Sequence, residues 1–440
     1  MDVPDAITAT KDLLSIRAAE SARLDKIRRY WRGTQAMPAA PRGAPADIRR
    51  LAQMSRINIC GLIVSVPTQS LFVDGYRASG AGEDSDGWAT WQANRMDARQ
   101  TGIHRAALAY GGSYVAVLPG PERPSIVGHS PRRMVAAYAP GPHDWPEMAL
   151  EVCSHPKAPP TYRLYDAEGV WTLDETRPPT EVPAPKVDAF EAHNMGVCPV
   201  VRFATSANID DDADDPIGEI EPVMPLQDQI DVTTFGCMVA EHFSAFRQRY
   251  VIGWTSDDEN ERLKAAASTL WTFGDDRNTV SVGEFGQTDL SGYLDSREAE
   301  VRLVAIITQT PPHELLGTMA NLSAEALTAA EANHRRKVAE IEVLFGEAWE
   351  QVFEAESIAR GTQPDTTAQV RWRDTESRSF AATVDGLGKL AQMLGVPTEV
   401  LWERIPGWTQ QDVAAAKAAA ASTDYFAQLE AYLRSSAAES

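Results

Sequence analysis

The densest run of chemistry-bearing side chains in this sequence is carboxylate. Asn208, Asp210, Asp212 and Asp214, followed by Glu219, approximate the oxygen-ligand rhythm of a calcium loop. The sixth position is Ala213 where the sharp turn wants glycine, and Pro216 interrupts entry into the next helix. Asp210, Asp212 and Asp214 are thus a weak calcium candidate, and a solvated linker is the plainer reading of the run from Asp210 to Asp215. The same cluster is the foothold for an alternative function, a metal-dependent nucleic-acid enzyme, although adjacent aspartates in a linker lack preorganised geometry.

Other catalytic patterns fail at named positions. Gly386-Leu387-Gly388-Lys389 lacks the spacing and the hydroxyl residue of a phosphate-binding loop. His313-Glu314 has Gly317 where a zinc helix would need its second histidine, so His313 is expected to pack or bond at a turn. Cys153 and His155 offer two ligands where zinc takes four, or three and a water. The expectation is no catalytic residue, no cofactor and no metal: not an enzyme. Arg17, Arg23, Lys26, Arg28 and Arg29 give the first helix a basic face that could meet nucleic acid, an acidic neighbour or only water.

The 440 residues carry 41 Lys and Arg against 62 Asp and Glu, a formal charge of −21. Duplex DNA is gripped by phosphate neutralisation, so wrapping of DNA by the whole surface is disfavoured; an acidic wall would instead let DNA slide past. Cys60, Cys153, Cys198 and Cys237 are scattered and read as reduced thiols of a cytosolic protein. No signal peptide is apparent, and the longest apolar stretches, such as Ile57 to Val66, are too short to span a bilayer.

Helical periodicity predicts helices over 5–31, 47–64, 88–95, 98–110, 218–246 and 294–308, and a long one from Ser323 to about Gly361. In that last helix Val338, Ile341, Leu344, Phe345, Ala348, Trp349, Val352 and Phe353 recur at helical steps, and about 35 residues would reach about 50 Å. Short strands are expected at 114–118, 134–138, 149–153, 161–165, 169–173, 249–254 and 279–284, with a hairpin at Asp166 to Gly169. Further helices are expected at 259–268, 380–394, 397–404 and 409–433. Val301, Leu303, Val304, Ile306 and Ile307 make one helix apolar all round, which demands either a core or neighbouring subunits around it.

Several motifs then occur in order: Tyr30-Trp31-Arg32-Gly33, Ser55-Arg56-Ile57-Asn58, Phe72-Val73-Asp74-Gly75-Tyr76, and Gly218-Glu219-Ile220-Glu221-Pro222-Val223-Met224-Pro225-Leu226-Gln227-Asp228. They continue with Gly283-Glu284-Phe285, Asp289 to Leu294, Thr310-Pro311-Pro312-His313-Glu314-Leu315-Leu316-Gly317, Asn321 to Leu327, and Phe345 to Trp349. In these the chain resembles the portal proteins of tailed bacteriophages, particularly long non-contractile-tailed phages of actinobacteria.

The resemblance implies an α+β portal fold and a homo-oligomeric ring, a dodecamer, at one capsid vertex with a channel for double-stranded DNA. It divides the chain into wing (1–217), first stem helix (218–247), clip (248–292), second stem helix (293–309), channel loop (310–323), long wing helix (324–360) and C-terminal wing and crown helices (361–440). Thr318, Met319, Ala320 and Asn321 would lie nearest the duplex. Val301, Val304 and Ile307 would meet neighbouring subunits. Arg249, Trp254 and Trp271 would dock the terminase large subunit and the head–tail adaptor. Major capsid and scaffolding proteins are the further partners implied, with the host cytoplasm as the place of assembly and no membrane. An unrelated ring-forming cytosolic scaffold would share much of this pattern.

Overall fold

The computed structural model describes residues 1–78, 85–139, 145–155, 158–175, 185–206, 216–245, 249–252, 270–273, 281–284, 289–317, 324–373, 380–405 and 407–421. The fold is α+β. Two compact units divide the chain, one holding residues 1–20, 68–216 and 338–440, the other residues 21–67 and 217–337.

In the first unit, β4 (Met134–Ala137), β5 (Met148–His155), β6 (Ala158–Tyr165), β7 (Gly169–Glu175) and β8 (Pro185–Ala192) form an antiparallel meander in that order. Alternation along the strands feeds two cores. Leu150, Val152, Leu164, Trp171 and Leu173 pack against Ala6, Ala9 and Leu13 of α1 (Val3–Trp31). Ala149, Tyr165 and Val170 turn the other way, onto Ala116 of β2 (Gly112–Leu118) and Val200 of β9 (Val200–Ala204). The β6–β7 hairpin is closed by Asp166, whose carboxylate accepts the Glu168 and Gly169 amides at 2.7 Å each and the Trp171 indole N–H at 2.9 Å. β3 (Ser125–His129) completes a sheet of order β3-β2-β9, and β1 (Val73–Arg77) pairs with β13 (Gln369–Trp372).

The long helix α9 (Ala324–Ala359) delivers Phe345, Trp349 and Phe353 to an aromatic cluster. Their ring partners are Trp91 of α4 (Ser85–Ala93), His104 of α5 (Met96–Tyr110), Phe203 and Tyr76. The Trp349 indole donates to His104 Nε2 at 2.9 Å, while His104 Nδ1 lies 3.2 Å from the Leu71 carbonyl. The ring is neutral, with its proton on Nδ1, and burial depresses its pKa to about 3 from 6.5. Above pH 6.5 neither state binds this proton; below it the unfolded chain does and the folded one does not. The contribution is therefore present above the unfolded pKa and lost as pH falls toward 3. By pH 5 the loss reaches about 2 kcal/mol. Thermal melts between pH 7.5 and 5 should show the wild type losing more stability than His104→Gln, and parallel curves would contradict the assignment.

The second unit contains α2 (Ala46–Met54), α3 (Ile59–Ser70, shared with the first unit), α6 (Met224–Ala245) and α7 (Ser291–Ile307). Between α6 and α7 run β10 (Arg249–Ile252), β11 (Leu270–Phe273) and β12 (Ser281–Glu284), with β10 parallel to β11 and antiparallel to β12. Thr233 of α6 donates to buried Glu300 of α7 at 2.8 Å.

Three expectations are corrected. The predicted helix over 47–64 is two helices, because Asn58 caps α3, its side-chain oxygen accepting the Gly61 amide at 2.9 Å. The helix expected from residue 218 begins at Met224 after a 3-10 turn at Glu221–Val223, where Pro222 lacks an amide donor. Within 310–317 a short helix, α8 (Pro312–Leu316), starts on proline and ends at Gly317 with φ +66°. The chain closes with α10 (Phe380–Leu394), α11 (Thr398–Trp402) and a helical stretch over 410–421. The helix predicted over 259–268 lies outside the described residues.

Candidate functional site

Three of the sequence motifs, far apart along the chain, meet in the second unit around one carboxylate. Asp231 of α6 is 1% exposed. Its Oδ1 accepts the Ile57 amide at 3.1 Å and the Gln227 side-chain amide at 2.9 Å, and its Oδ2 accepts from the Gln35 side chain at 2.8 Å. One helical turn earlier, Gln227 donates to the Ile57 carbonyl at 2.6 Å and accepts the Ile59 amide at 3.2 Å. Tyr30, at the end of α1, donates to Asp228 at 2.7 Å. Arg56 bonds the Gln35 carbonyl at 3.0 Å, and Asn58 bonds the Trp31 carbonyl at 3.1 Å.

The spacing explains the geometry. Gln227 and Asp231 are i and i+4 on α6, so both face the chain segment between α2 and α3, whose amides no helix satisfies. Burial raises the pKa of Asp231 against the pull of its donors, and pushes the Cys60 thiol up to about 12. A carboxylate holding three protein donors has its acceptor capacity committed to the chain. The arrangement is a clamp, and what it does is fix α1, α2 and α3 to α6.

A second clamp stands at the end of α7. Lys337 donates to the Thr308 carbonyl at 2.6 Å and pairs with Glu219. Gln309 beside it takes φ +51°, the left-handed region, before Pro311 and Pro312 redirect the chain. Gly317 closes α8 by donating to the His313 backbone carbonyl at 2.9 Å.

Of the residues singled out in the sequence, Val301 and Val304 are 6% and 1% exposed and belong to the subunit's own core. Ile307 is 49% exposed, next to Leu303 at 49% and Ile306 at 69%. The apolar-all-round helix thus divides into a buried row and an uncovered one. Arg249 and Trp271 sit on β10 and β11, in strands whose side chains lie outside the described set, and Trp254 lies outside the described residues. So do Thr318, Met319, Ala320 and Asn321, and so do Asp210, Asp212 and Asp214. Among the described residues no His, Cys, Asp and Glu group is arranged to hold a metal ion. No described helix is long and apolar enough to cross a membrane. Sequence reasoning missed Asp231 and Gln35 as site residues; their only signal was position, one helical turn beyond Gln227 and a few residues after Tyr30.

Comparison with known proteins agrees with the motif order. The family described as phage portal protein, SPP1 Gp6-like, matches residues 10–425, and the chain belongs to that family. It is 23% identical over 413 residues to the portal protein of Mycobacterium phage D29, and 24% identical over 422 residues to that of Mycobacterium phage L5. Each alignment covers 88% of this chain and 83% of the relative. Similar solved structures include the neck of a native gene transfer agent particle computed with C12 symmetry, at TM-score 0.43 and 13% identity over 80% of this chain and 90% of that one. The virion of the native particle follows at TM-score 0.40 and 15% identity, over 80% of this chain and 94% of that one.

Proposed function

We propose that this portal protein assembles as a closed homo-oligomeric ring, a dodecamer, at one vertex of a phage capsid, and that double-stranded DNA enters and leaves through its axis. Family membership across residues 10–425 carries the reading. In this assignment residues 1–217 and 324–440 build the wing and crown, α6 and α7 the stem, and 248–292 the clip. Thr318, Met319, Ala320 and Asn321 form the loop at the duplex, based on the Lys337 clamp. Arg249, Trp254 and Trp271 mark the end that docks the terminase large subunit during packaging and the head–tail adaptor afterwards. Assembly takes place in the host cytoplasm with scaffolding and major capsid proteins, and the finished ring resides in the virion. The protein handles DNA without altering it chemically.

A heterologous contact repeated around an axis closes into a ring or runs on as a filament. The uncovered row Leu303, Ile306 and Ile307 supplies apolar surface for such a contact. Light scattering on the purified chain, alone and with its scaffolding protein, followed by electron-microscope class averages, tests the proposal. Rings with an axial opening wide enough for a B-form duplex are expected; assemblies without one would refute it.

A further inference from the structure

The net charge of −21 conceals a strong local asymmetry. Between Ser21 and Arg56 stand nine Lys and Arg side chains and two carboxylates, a local charge of +7. Arg23 pairs with Glu221, and Arg56 is held by the Gln35 carbonyl. Lys26, Arg29, Arg32, Arg42, Arg49 and Arg50 are exposed, and no described carboxylate pairs with them. These six ride on the end of α1, on α2 and on the connector between them, which the Asp231 clamp and the Tyr30–Asp228 bond tie to α6. The cations are therefore presented by anchored backbone.

We propose that this cationic segment is a binding surface for the phosphate backbone of duplex DNA, outside the loop assigned above to the channel; the proposal rests on the portal reading for its duplex. One observation favours phosphate over an acidic protein surface. Protein interfaces deplete charge at their centres and anchor on buried apolar groups, whereas here Met37 and Met54 are the only large apolar side chains exposed from residue 21 to 56. Five of the six cations are arginine, whose planar fork binds phosphate oxygens bidentately, as it does carboxylates. Glu221, Asp228 and Asp231 touch this segment and offset part of its charge, yet the segment stays net positive with them counted, and carboxylates more than about 8 Å away are largely screened at physiological salt. Binding of this kind reads no base sequence.

The test measures anisotropy of a fluorescein-labelled blunt duplex against the full chain across a salt series, with ring mass by light scattering in parallel. The variant Arg29→Ser/Arg49→Ser/Arg50→Ser is compared with Lys11→Ser/Arg133→Ser/Lys389→Ser, which removes the same charge from exposed sites elsewhere. The first should weaken binding by about a hundredfold and flatten the log–log salt slope by about 3, while the second stays close to wild type. Equal weakening by both variants overturns the proposal. So does unchanged DNA affinity in intact rings, which leaves the portal reading standing. Loss of ring mass at unchanged affinity also overturns it, making the patch a subunit contact. A wild-type chain that binds duplex as described but forms no ring even with its scaffolding protein sinks the ring reading and keeps the DNA surface.

Discussion

Val304→Asp is expected to abolish a folded subunit, while Ile307→Asp, three residues along the same helix, leaves the subunit folded and abolishes the ring. Val304 is 1% exposed, so the new carboxylate would be desolvated without a partner, a change that typically exceeds about 4 kcal/mol. Glu300 stands one turn before it, also buried, with Oε1 bonded to Thr233 and Oε2 without a hydrogen-bond partner among the described residues. A second carboxylate at i+4 adds like-charge repulsion where water cannot screen it. Domains hold only about 5–15 kcal/mol, so most of the subunit's stability goes with this one change. Ile307 is half exposed, and aspartate there meets solvent in the isolated chain; the expected change in folding stability is within about 1 kcal/mol. In a ring that covers Leu303, Ile306 and Ile307, the same aspartate is desolvated at every subunit contact. Calorimetry and light scattering on the two variants separate the cases. A Val304→Asp protein melting at the wild-type temperature would show that the row is not core, and an Ile307→Asp protein retaining ring mass would show that its row is not an interface.

The division of that helix illustrates what periodicity reveals. The stripe from Val338 to Phe353 was legible because one long apolar stripe has one solution: seven of its eight side chains are buried, and Leu344 is half-buried. The Asp166 hairpin was legible because turn chemistry is local. The break between α2 and α3 was not, since apolar spacing continues across it; the Asn58 cap is local, but the bonds that hold the opened segment come from Asp231 and Gln227, about 170 positions away. β13 escaped notice for a related reason. Only four residues long and partly exposed, it is defined by pairing with β1 across the chain. At Val301 and Val304 the sequence showed that the helix must be covered and left open by what; burial within the subunit answers that for two of the three residues named. Whole-chain charge misled in a similar way, because averaging hides a +7 segment inside a −21 protein.

Removing the Asp231 carboxylate should be the most damaging single change in the clamp. Asp231→Ala orphans the Ile57 amide, the Gln35 side-chain amide and one Gln227 hydrogen bond in a site water does not reach. Each unsatisfied donor costs about 1–3 kcal/mol, so about 3–5 kcal/mol is expected after partial relaxation. Asp231→Asn should be far milder. Gln35 Oε1 is buried without a hydrogen-bond partner among the described residues, so rotating the Gln35 amide by half a turn offers that oxygen to the new Asn N–H. The neutral amide also escapes the burial penalty that raises the pKa of Asp231. The raised folded value means that acid favours the native carboxyl, so the stability of the wild type relative to Asp231→Asn should rise as pH falls toward 4. Amide hydrogen exchange locates the effect: Ile57 and Ile59 should lose protection in Asp231→Ala, ahead of the α6 core, and retain it in Asp231→Asn. Because the clamp ties the end of α1, the α2–α3 segment and α6 together, loosening it releases the ends of three helices at once. Equal melting temperatures and equal protection in Asp231→Ala and wild type would show that the convergence of the three motifs does not hold the unit together.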